Sequence, residues 1–240
     1  MTRMADSAAP VPSLSASELC FEACGRSWRL RRADLEALWT AMSEDDPGWR
    51  EDERLPYWAD LWPSSLALAA WLADRRADIA DRACLDVGCG LGFTALVGQW
   101  LGGRVTGMDY DADALAYARI NAELNAVSGV TWTIMDWRAP TLEPGVVDRA
   151  WAADIVYEQR FAAPVAAFLA HILATDGAAW IAEPGRAVFR ALLDELPAHG
   201  LSFSKACFTP TWPLTPQAVP VPVTIWEIRR RPNFKTAIDG

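Results

Sequence analysis

The segment LDVGCGLGF, residues 85–93, constrains this chain more than any other part of it. A short apolar run ends in Asp86, glycines follow at 88, 90 and 92, and a helix-compatible stretch begins at Phe93. That order describes a strand feeding a tight turn into a helix, since glycine permits positive φ and close approach of a ligand to the backbone. A dinucleotide loop would read G-x-G-x-x-G, and Phe93 stands where its third glycine belongs. A carboxylate at the strand end also suits a pyrophosphate poorly, because phosphates seek helix N–H groups away from other anions. It suits a cofactor bearing an ammonium or a sulfonium, and S-adenosylmethionine bears both. A plain structural turn is the alternative for the loop taken alone.

A second acid narrows the choice. Residues 104–109 read as the next strand, and Asp109 closes it about 20 residues beyond the glycines, where doubly wound sheets place the acid that holds ribose hydroxyls. Tyr110 follows and can lie against an adenine. Asp109 could instead cap the next helix, but Asp111 is better placed for that, because residues 112–126 look helical.

The rest of the chain repeats the alternation. Strands are expected over 83–87, 104–109, 130–135, 149–154 and 178–183, and helices over 63–75, 93–101, 112–126, 160–173 and 187–196. Pro63 fits the first position of its helix. Alternating strands and helices imply an α/β, Rossmann-like doubly wound sheet, mostly parallel. Residues 201–208 and 221–230 read as two strands with no helix between them, so they are expected to pair as antiparallel neighbours. Upstream, residues 19–30 alternate around Gly25 as a β-hairpin, and 34–42 form a short helix. The expected organisation is a disordered leader over 1–17, a hairpin-and-helix extension over 18–55, and one catalytic domain over 56–240. Residues 43–55 are acidic and read as a surface loop. The proline-rich loop 209–222 has no assigned role beyond shaping a substrate lid.

Ligands of open α/β sheets bind outside the carboxyl ends of the strands, so the residues there are the candidates. After the third core strand come Asp136 and Trp137, suited to an adenine amino group and ring; a loop Asp beside a core Trp is the plainer alternative. After the fourth come Ala153, Asp154, Ile155, Val156 and Tyr157. A carboxylate and a phenol three residues apart can line one small site. Asp154 can orient an incoming ammonium and Tyr157 can pack on its stem. A carboxylate does not by itself help an ammonium lose its proton, so water or a desolvated pocket must assist. The alternative is a helix-capping Asp with Tyr157 as core. Residues 56–63, PYWADLWP, precede the first helix and can cover a cofactor and exclude water. Trp62 can turn its indole N–H toward the methionine end, or act as a hydrophobic plug.

Charge and composition exclude other classes. A net charge of −9 argues against a nucleic-acid surface as the main partner. Arg229, Arg230 and Arg231 read as a solvated strand end. The five cysteines show no paired zinc spacing, no metal is expected, and reduced thiols in a cytoplasmic protein are the expectation. No segment is long and apolar enough for a membrane span. His171 and His199 stand away from strand ends and carry no base role.

With these residues in place, the chain resembles the class I (seven-β-strand) S-adenosylmethionine-dependent methyltransferases. Within them it is similar to the protein-lysine methyltransferase family that includes the electron-transfer-flavoprotein β-subunit lysine methyltransferases, to which nicotinamide N-methyltransferase-like descriptions are often attached. The segments PYWADLWPSS and LDVGCGLGF and the D-x-x-Y of Asp154 and Tyr157 carry the resemblance, which covers about 55–183. It implies a seven-stranded sheet with an antiparallel final strand, S-adenosylmethionine as cofactor, and a lysine-bearing protein as acceptor. Its cofactor residues here would be Trp62, Asp86, Gly88, Cys89, Gly90, Gly92, Asp109, Tyr110, Asp136, Trp137 and Ala153, with Asp154 and Tyr157 at the acceptor. The glycine segment has the generic methyltransferase form, so it does not choose the substrate.

Four rivals follow. Nucleic-acid and glutamine-amide methyltransferases carry [N/D]-P-P-[Y/F] at this strand end, and Ile155 and Val156 replace those prolines. A small-molecule N- or O-methyltransferase is the main alternative, because nothing in the sequence reads the acceptor. A non-catalytic cofactor-binding module would keep the fold, although the acids and glycines stand intact. A NAD-type oxidoreductase fits Phe93 poorly.

Overall fold

The computed structural model describes residues 17–34, 36–38, 56–211 and 219–232. The expected leader, apart from Ser17, lies outside the described residues, as do the acidic stretch 43–55, the end of the 34–42 helix and the middle of the proline-rich loop.

Two strands open the chain, β1 (Ser17–Ala23) and β2 (Arg26–Arg32), paired as an antiparallel hairpin. The domain that follows alternates: α1 (Pro63–Ala73), α2 (Arg76–Ile79), β3 (Ala83–Val87), α3 (Phe93–Trp100), β4 (Arg104–Asp109), α4 (Ala112–Leu124), β5 (Thr131–Ile134), β6 (Val147–Ala153), α5 (Ala162–Ile172), β7 (Leu173–Glu183), α6 (Phe189–Glu195), β8 (Leu201–Thr211) and β9 (Val221–Arg230). The seven-stranded sheet runs β5-β4-β3-β6-β7-β9-β8. Strands β3 to β7 are parallel; β9 lies antiparallel between β7 and β8. The final strand is thus the reversed one, inserted rather than added at the edge. The direct β8–β9 pairing follows from a connection that holds no crossover helix.

Apolar side chains cover both sheet faces. On one, Leu68 and Leu72 of α1 and Phe93 and Leu96 of α3 pack with Trp151, Trp180 and the hairpin's Trp28 and Leu30. On the other, α5 and α6 bring Val165, Phe168, Leu169 and Leu192 against Leu85, Val87 and Ile181. Strands buried on both sides explain the apolar runs at 83–85 and 150–153. Among the described residues, no helix is long and apolar enough to cross a membrane.

Between strand and helix the chain turns through Gly92, at φ +83°, where a Cβ would stand 2.8 Å from the Ala118 side chain and 2.9 Å from Trp132. Any other residue would be strained by its backbone and blocked by α4 and β5 at once. Asp111 caps α4 by accepting the Asp113 N–H at 2.8 Å.

The hairpin is held by an arrangement that the sequence did not announce. Asn121 and Asn125 stand four residues apart on α4, so they share one face. The Asn121 side chain accepts the Arg31 N–H at 2.7 Å and donates to the Arg31 carbonyl at 3.1 Å. Asn125 does the same for Arg29, at 2.9 Å and 2.6 Å. Two side-chain amides therefore serve the outer edge of β2 as a neighbouring strand would. Asn121 is fully buried and also donates to the Leu91 carbonyl at 2.9 Å, joining the hairpin to the glycine loop.

Removing either amide leaves part-buried backbone groups of β2 unpaired, which costs about 1 kcal/mol or more. Asn121→Ala is expected to lower the urea midpoint more than Asn125→Ala, since it also frees the Leu91 carbonyl. Equilibrium urea unfolding followed by far-UV circular dichroism measures this, and an unchanged midpoint for both variants would contradict it.

Candidate active site

Strand order reverses at β3: the chain moves outward through β4 and β5, then returns to β6 on the other side. Such a switch point opens a crevice at the carboxyl ends of the strands. Here a cleft is lined by Tyr57, Trp58, Asp60, Leu61 and Trp62, by Gly88, Cys89 and Gly90, by Asp109, Tyr110 and Trp137, and by Ala153, Asp154, Ile155 and Tyr157, among others. A second, smaller hollow shares Gly88, Asp109, Tyr110, Trp137 and Tyr157 and adds Met135, Asp136 and Phe161. Five shared walls make the two one elongated site.

The β3–α3 turn is fastened to β4. Cys89 donates its N–H to the Met108 carbonyl at 2.9 Å, and Gly90 donates its N–H to Asp109 Oδ2 at 2.9 Å. Asp109 Oδ1 accepts the Asp111 N–H at 3.1 Å. Burial pushes the Asp109 carboxyl up to about 6, against the pull of the Asp111 and Gly90 amides. From above, the 57–62 segment closes on the turn: a Cβ on Gly90, at φ +50°, would stand 3.3 Å from the Trp58 carbonyl oxygen. Trp58, Ala59, Leu91, Tyr117 and Ala33 form a small apolar cluster there.

Ten of the thirteen predicted site residues line the main cleft: Trp62, Gly88, Cys89, Gly90, Asp109, Tyr110, Trp137, Ala153, Asp154 and Tyr157. Asp136 lines the adjoining hollow, where its carboxylate is engaged by the N–H and guanidinium of Arg138. Asp86 and Gly92 stand behind the walls. Asp86 is 1% exposed and accepts the Thr94 hydroxyl at 2.6 Å. Burial raises its carboxyl to about 7, opposed by that hydrogen bond. The expected gesture of Trp62 is corrected: its indole N–H is donated to the Tyr57 carbonyl at 2.8 Å rather than turned toward the methionine end. The five-residue spacing lets the 57–62 turn close on itself through that bond.

At the β6 end, Asp154 adopts φ +57° and is 9% exposed. Its N–H donates to the Ala182 carbonyl at 2.8 Å, fixing the turn to β7. Both carboxylate oxygens accept from Arg186, Oδ1 from Nε at 2.6 Å and Oδ2 from Nη2 at 2.7 Å. Arg186 is held in turn: its backbone N–H and that of Gly185 donate to Glu183 Oε2, at 3.1 Å and 2.6 Å, while Trp226 donates to Oε1 at 3.3 Å. Burial raises the Asp154 carboxyl, and Arg186 opposes the rise. The Tyr157 ring meets Tyr57 edge-on at 5.0 Å and Phe161 at 5.2 Å, and burial raises its phenol. Sequence reading missed Arg186 and Glu183. Glu183 closes a strand just as Asp109 does, and the Pro-Gly turn after it brings Arg186 back over the site.

A family profile described as a methyltransferase domain matches residues 84–177. Together with the sheet order and the cleft, this match supports a methyltransferase of the class I, S-adenosylmethionine-dependent kind, with S-adenosylmethionine as the cofactor. Within the class, the chain is 32% identical over 152 residues to the electron transfer flavoprotein beta subunit lysine methyltransferase of Xenopus laevis, covering 59% of each chain. It is 33% identical over 104 residues to the ribosomal protein L11 methyltransferase of Shewanella sediminis, covering 38% of this chain and 33% of that one. The chain thus spans about three fifths of the first relative's length. In structure it is similar to the magnesium protoporphyrin IX methyltransferase of Synechocystis with bound S-adenosylmethionine, with a TM-score of 0.55, 18% identity and coverage of 81% and 90%. At that identity the likeness concerns the fold.

The residues present fit this cofactor. Trp137 has a buried indole N–H with no hydrogen-bond partner among the described residues, beside a hollow with Asp136 and apolar Met135 and Phe161 on its walls. An orphaned buried donor calls for an acceptor, and an adenine offers several. Asp109 closes β4 at the site's midpoint, where ribose hydroxyls are held in doubly wound folds.

The two buried acids make stability depend on pH. Their folded values lie above the ordinary carboxylate value of 3.8, so the folded state holds protons that the unfolded chain has released. Stability from this source is complete below about pH 4 and declines as pH rises toward 7. Asp86→Asn keeps an acceptor for Thr94 and removes one of the two groups. Urea unfolding between pH 4 and 7.5 is expected to show a stability loss of roughly 1–4 kcal/mol in the parent and a flatter profile in the variant; parallel profiles would contradict the assignment.

Proposed function

We propose that this protein transfers a methyl group from S-adenosylmethionine to a lysine ε-amine of a protein. The observation that carries this reading is Asp154 and Tyr157 facing the same cleft as the glycine turn, from the strand end beside the switch point. Similarity to lysine methyltransferases of the electron transfer flavoprotein beta subunit supports the acceptor class.

In this reading, Gly88, Cys89 and Gly90 cradle the amino-acid part of the cofactor, with Asp86 and Gly92 shaping the turn from behind. Asp109 takes the ribose, Tyr110, Asp136 and Trp137 the adenine, and Trp62 and Ala153 the wall near the methionine end. When bound, S-adenosylmethionine supplies a methyl group on a sulfonium, which an uncharged amine takes up as the carbon–sulfur bond breaks with its electrons going to sulfur. The chain's own residues bind and orient. Tyr57, Tyr157 and Phe161 offer aromatic surface to an alkyl stem and exclude water. Asp154 directs the amine, and positioning of this kind is a large part of what an enzyme contributes to a displacement reaction. A small-molecule acceptor is the alternative, since the cofactor half of the cleft does not read the acceptor. All five cysteines are unpaired, which supports a reducing compartment such as the cytoplasm.

S-adenosylhomocysteine at 100 times its Kd stabilises by about 2.7 kcal/mol, so a melting shift of several degrees is expected with it and none with NAD; the reverse pattern would end the cofactor assignment. Incubation with methyl-labelled cofactor and a bacterial lysate is expected to place label in protein lysine. Asp154→Ala should retain S-adenosylhomocysteine binding and lower labelling on the order of 10²-fold. Label confined to small molecules or RNA would transfer the reading to the alternative acceptors.

A further inference from the structure

A carboxylate at the acceptor site creates a difficulty. An opposite charge nearby favours the ammonium form of an amine, yet only the uncharged amine has a lone pair to give. The structure places a guanidinium against that carboxylate. Arg186 grips Asp154 with two parallel hydrogen bonds, the fork-to-fork geometry that ties a charge pair most firmly.

Resting on the lysine reading above, we infer that Arg186 is a positioning residue of the acceptor site: it holds the Asp154 carboxylate in place while cancelling its charge, so that the bound amine gives up its proton to solvent more readily than beside a lone carboxylate. The charged and titratable groups around the pair come from four places. Asp154 ends β6, Glu183 ends β7, Arg186 follows the Pro-Gly turn, and Tyr57 approaches from the segment before α1, contributing to the field at Arg186. Tyr157, with Glu158, Asp109 and Tyr110 in its own surroundings, completes the wall. Of the groups that act on Asp154, one is an acid, Glu183, and one is a base, Arg186. Without Arg186, Asp154 and Glu183 would stand together uncompensated.

The placement of Arg186 is built rather than incidental. Its backbone N–H is fixed by Glu183, whose other oxygen is fixed by Trp226. Asp154 in turn takes a left-handed backbone conformation, uncommon for a side-chain-bearing residue. The amine keeps its directional hydrogen-bond acceptor, because a carboxylate oxygen in a guanidinium fork retains a second lone pair. The proton leaves for water before the displacement, and the nitrogen lone pair then forms the new bond to carbon.

The test is the pH dependence of kcat, which reports groups in the enzyme–substrate complex. The acceptors are recombinant electron transfer flavoprotein β subunit and, in parallel, the protein fraction of a bacterial lysate, both at saturating concentration. The parent enzyme's kcat is expected to rise with pH to a plateau as the bound amine is deprotonated. Arg186→Gln, which keeps the backbone bond to Glu183, is expected to move that rise upward by about one pH unit or more, while Arg186→Lys restores the parent profile at least in part. S-adenosylhomocysteine affinity, measured by calorimetry, should be unchanged in both variants and shows that they are folded. A lower plateau for Arg186→Gln with an unmoved profile, or a profile moved downward, would overturn the inference and leave lysine methylation standing. Absence of lysine label with the parent enzyme on both acceptors would remove the underlying reading itself.

Discussion

The carboxylate of Asp109 is the point on which the site turns. It closes β4, and its two oxygens hold the Gly90 N–H on one side and the Asp111 N–H on the other. A glycine turn has little of its own to fix its shape; here one buried side chain tethers it to the neighbouring strand end and to the start of α4. The same residue therefore sets the shape of the turn and presents acidic surface to the cleft. Its raised carboxyl is the cost of standing where water is scarce. With the turn fixed, the overlying 57–62 segment has a firm surface to pack against, and Trp58 uses it.

Much of this was legible in the chain. The strand–glycine–helix order, the acid ending the next strand and the alternation through residue 183 prescribe a parallel sheet with a switch point, and the carboxyl-edge rule then gathers most of the site. The reversed last strand was legible because residues 201–230 hold two apolar runs and no helical period between them. What stayed hidden is side-chain commitment. Periodicity places Trp62 at the mouth of α1 but cannot say that its N–H closes on Tyr57. It places Asp86 at a strand end without showing that Thr94, the second residue of α3, takes its carboxylate inward. Arg186 was hidden because it lies beyond a Pro-Gly turn, and turns carry no period to follow. Asn121 and Asn125 look like ordinary polar positions of a helix until the hairpin is laid across them.

Charge is compensated unevenly across the cleft. The half around the glycine turn keeps two buried acids, Asp86 and Asp109, met only by uncharged donors. The half around the β6 end meets its acid with a full guanidinium. The first half is thus suited to receive positive charge, and the second to receive a neutral group. Two ends of one cleft, both ending in aspartate, differ because the turn after β7 returns an arginine and the turn after β3 returns only glycines.

The amide ladder of Asn121 and Asn125 has a bearing on how the molecule keeps apart from its own copies. An exposed strand edge offers unpaired N–H and C=O groups on which another chain can assemble. On β2 the outward groups of Arg29 and Arg31 are already taken by the two asparagines. At those residues the edge has no free groups to template another strand, even though no third strand covers it among the described residues. The opposite edge, along β1, carries exposed Glu18, Cys20 and Glu22 at alternate positions. Glu18 there is paired with Arg29, and Glu22 accepts from the Ser27 hydroxyl, so these acids are engaged across the hairpin. On the β2 side, the hairpin thus has its central outward groups satisfied by side chains and can remain two strands wide without inviting a third.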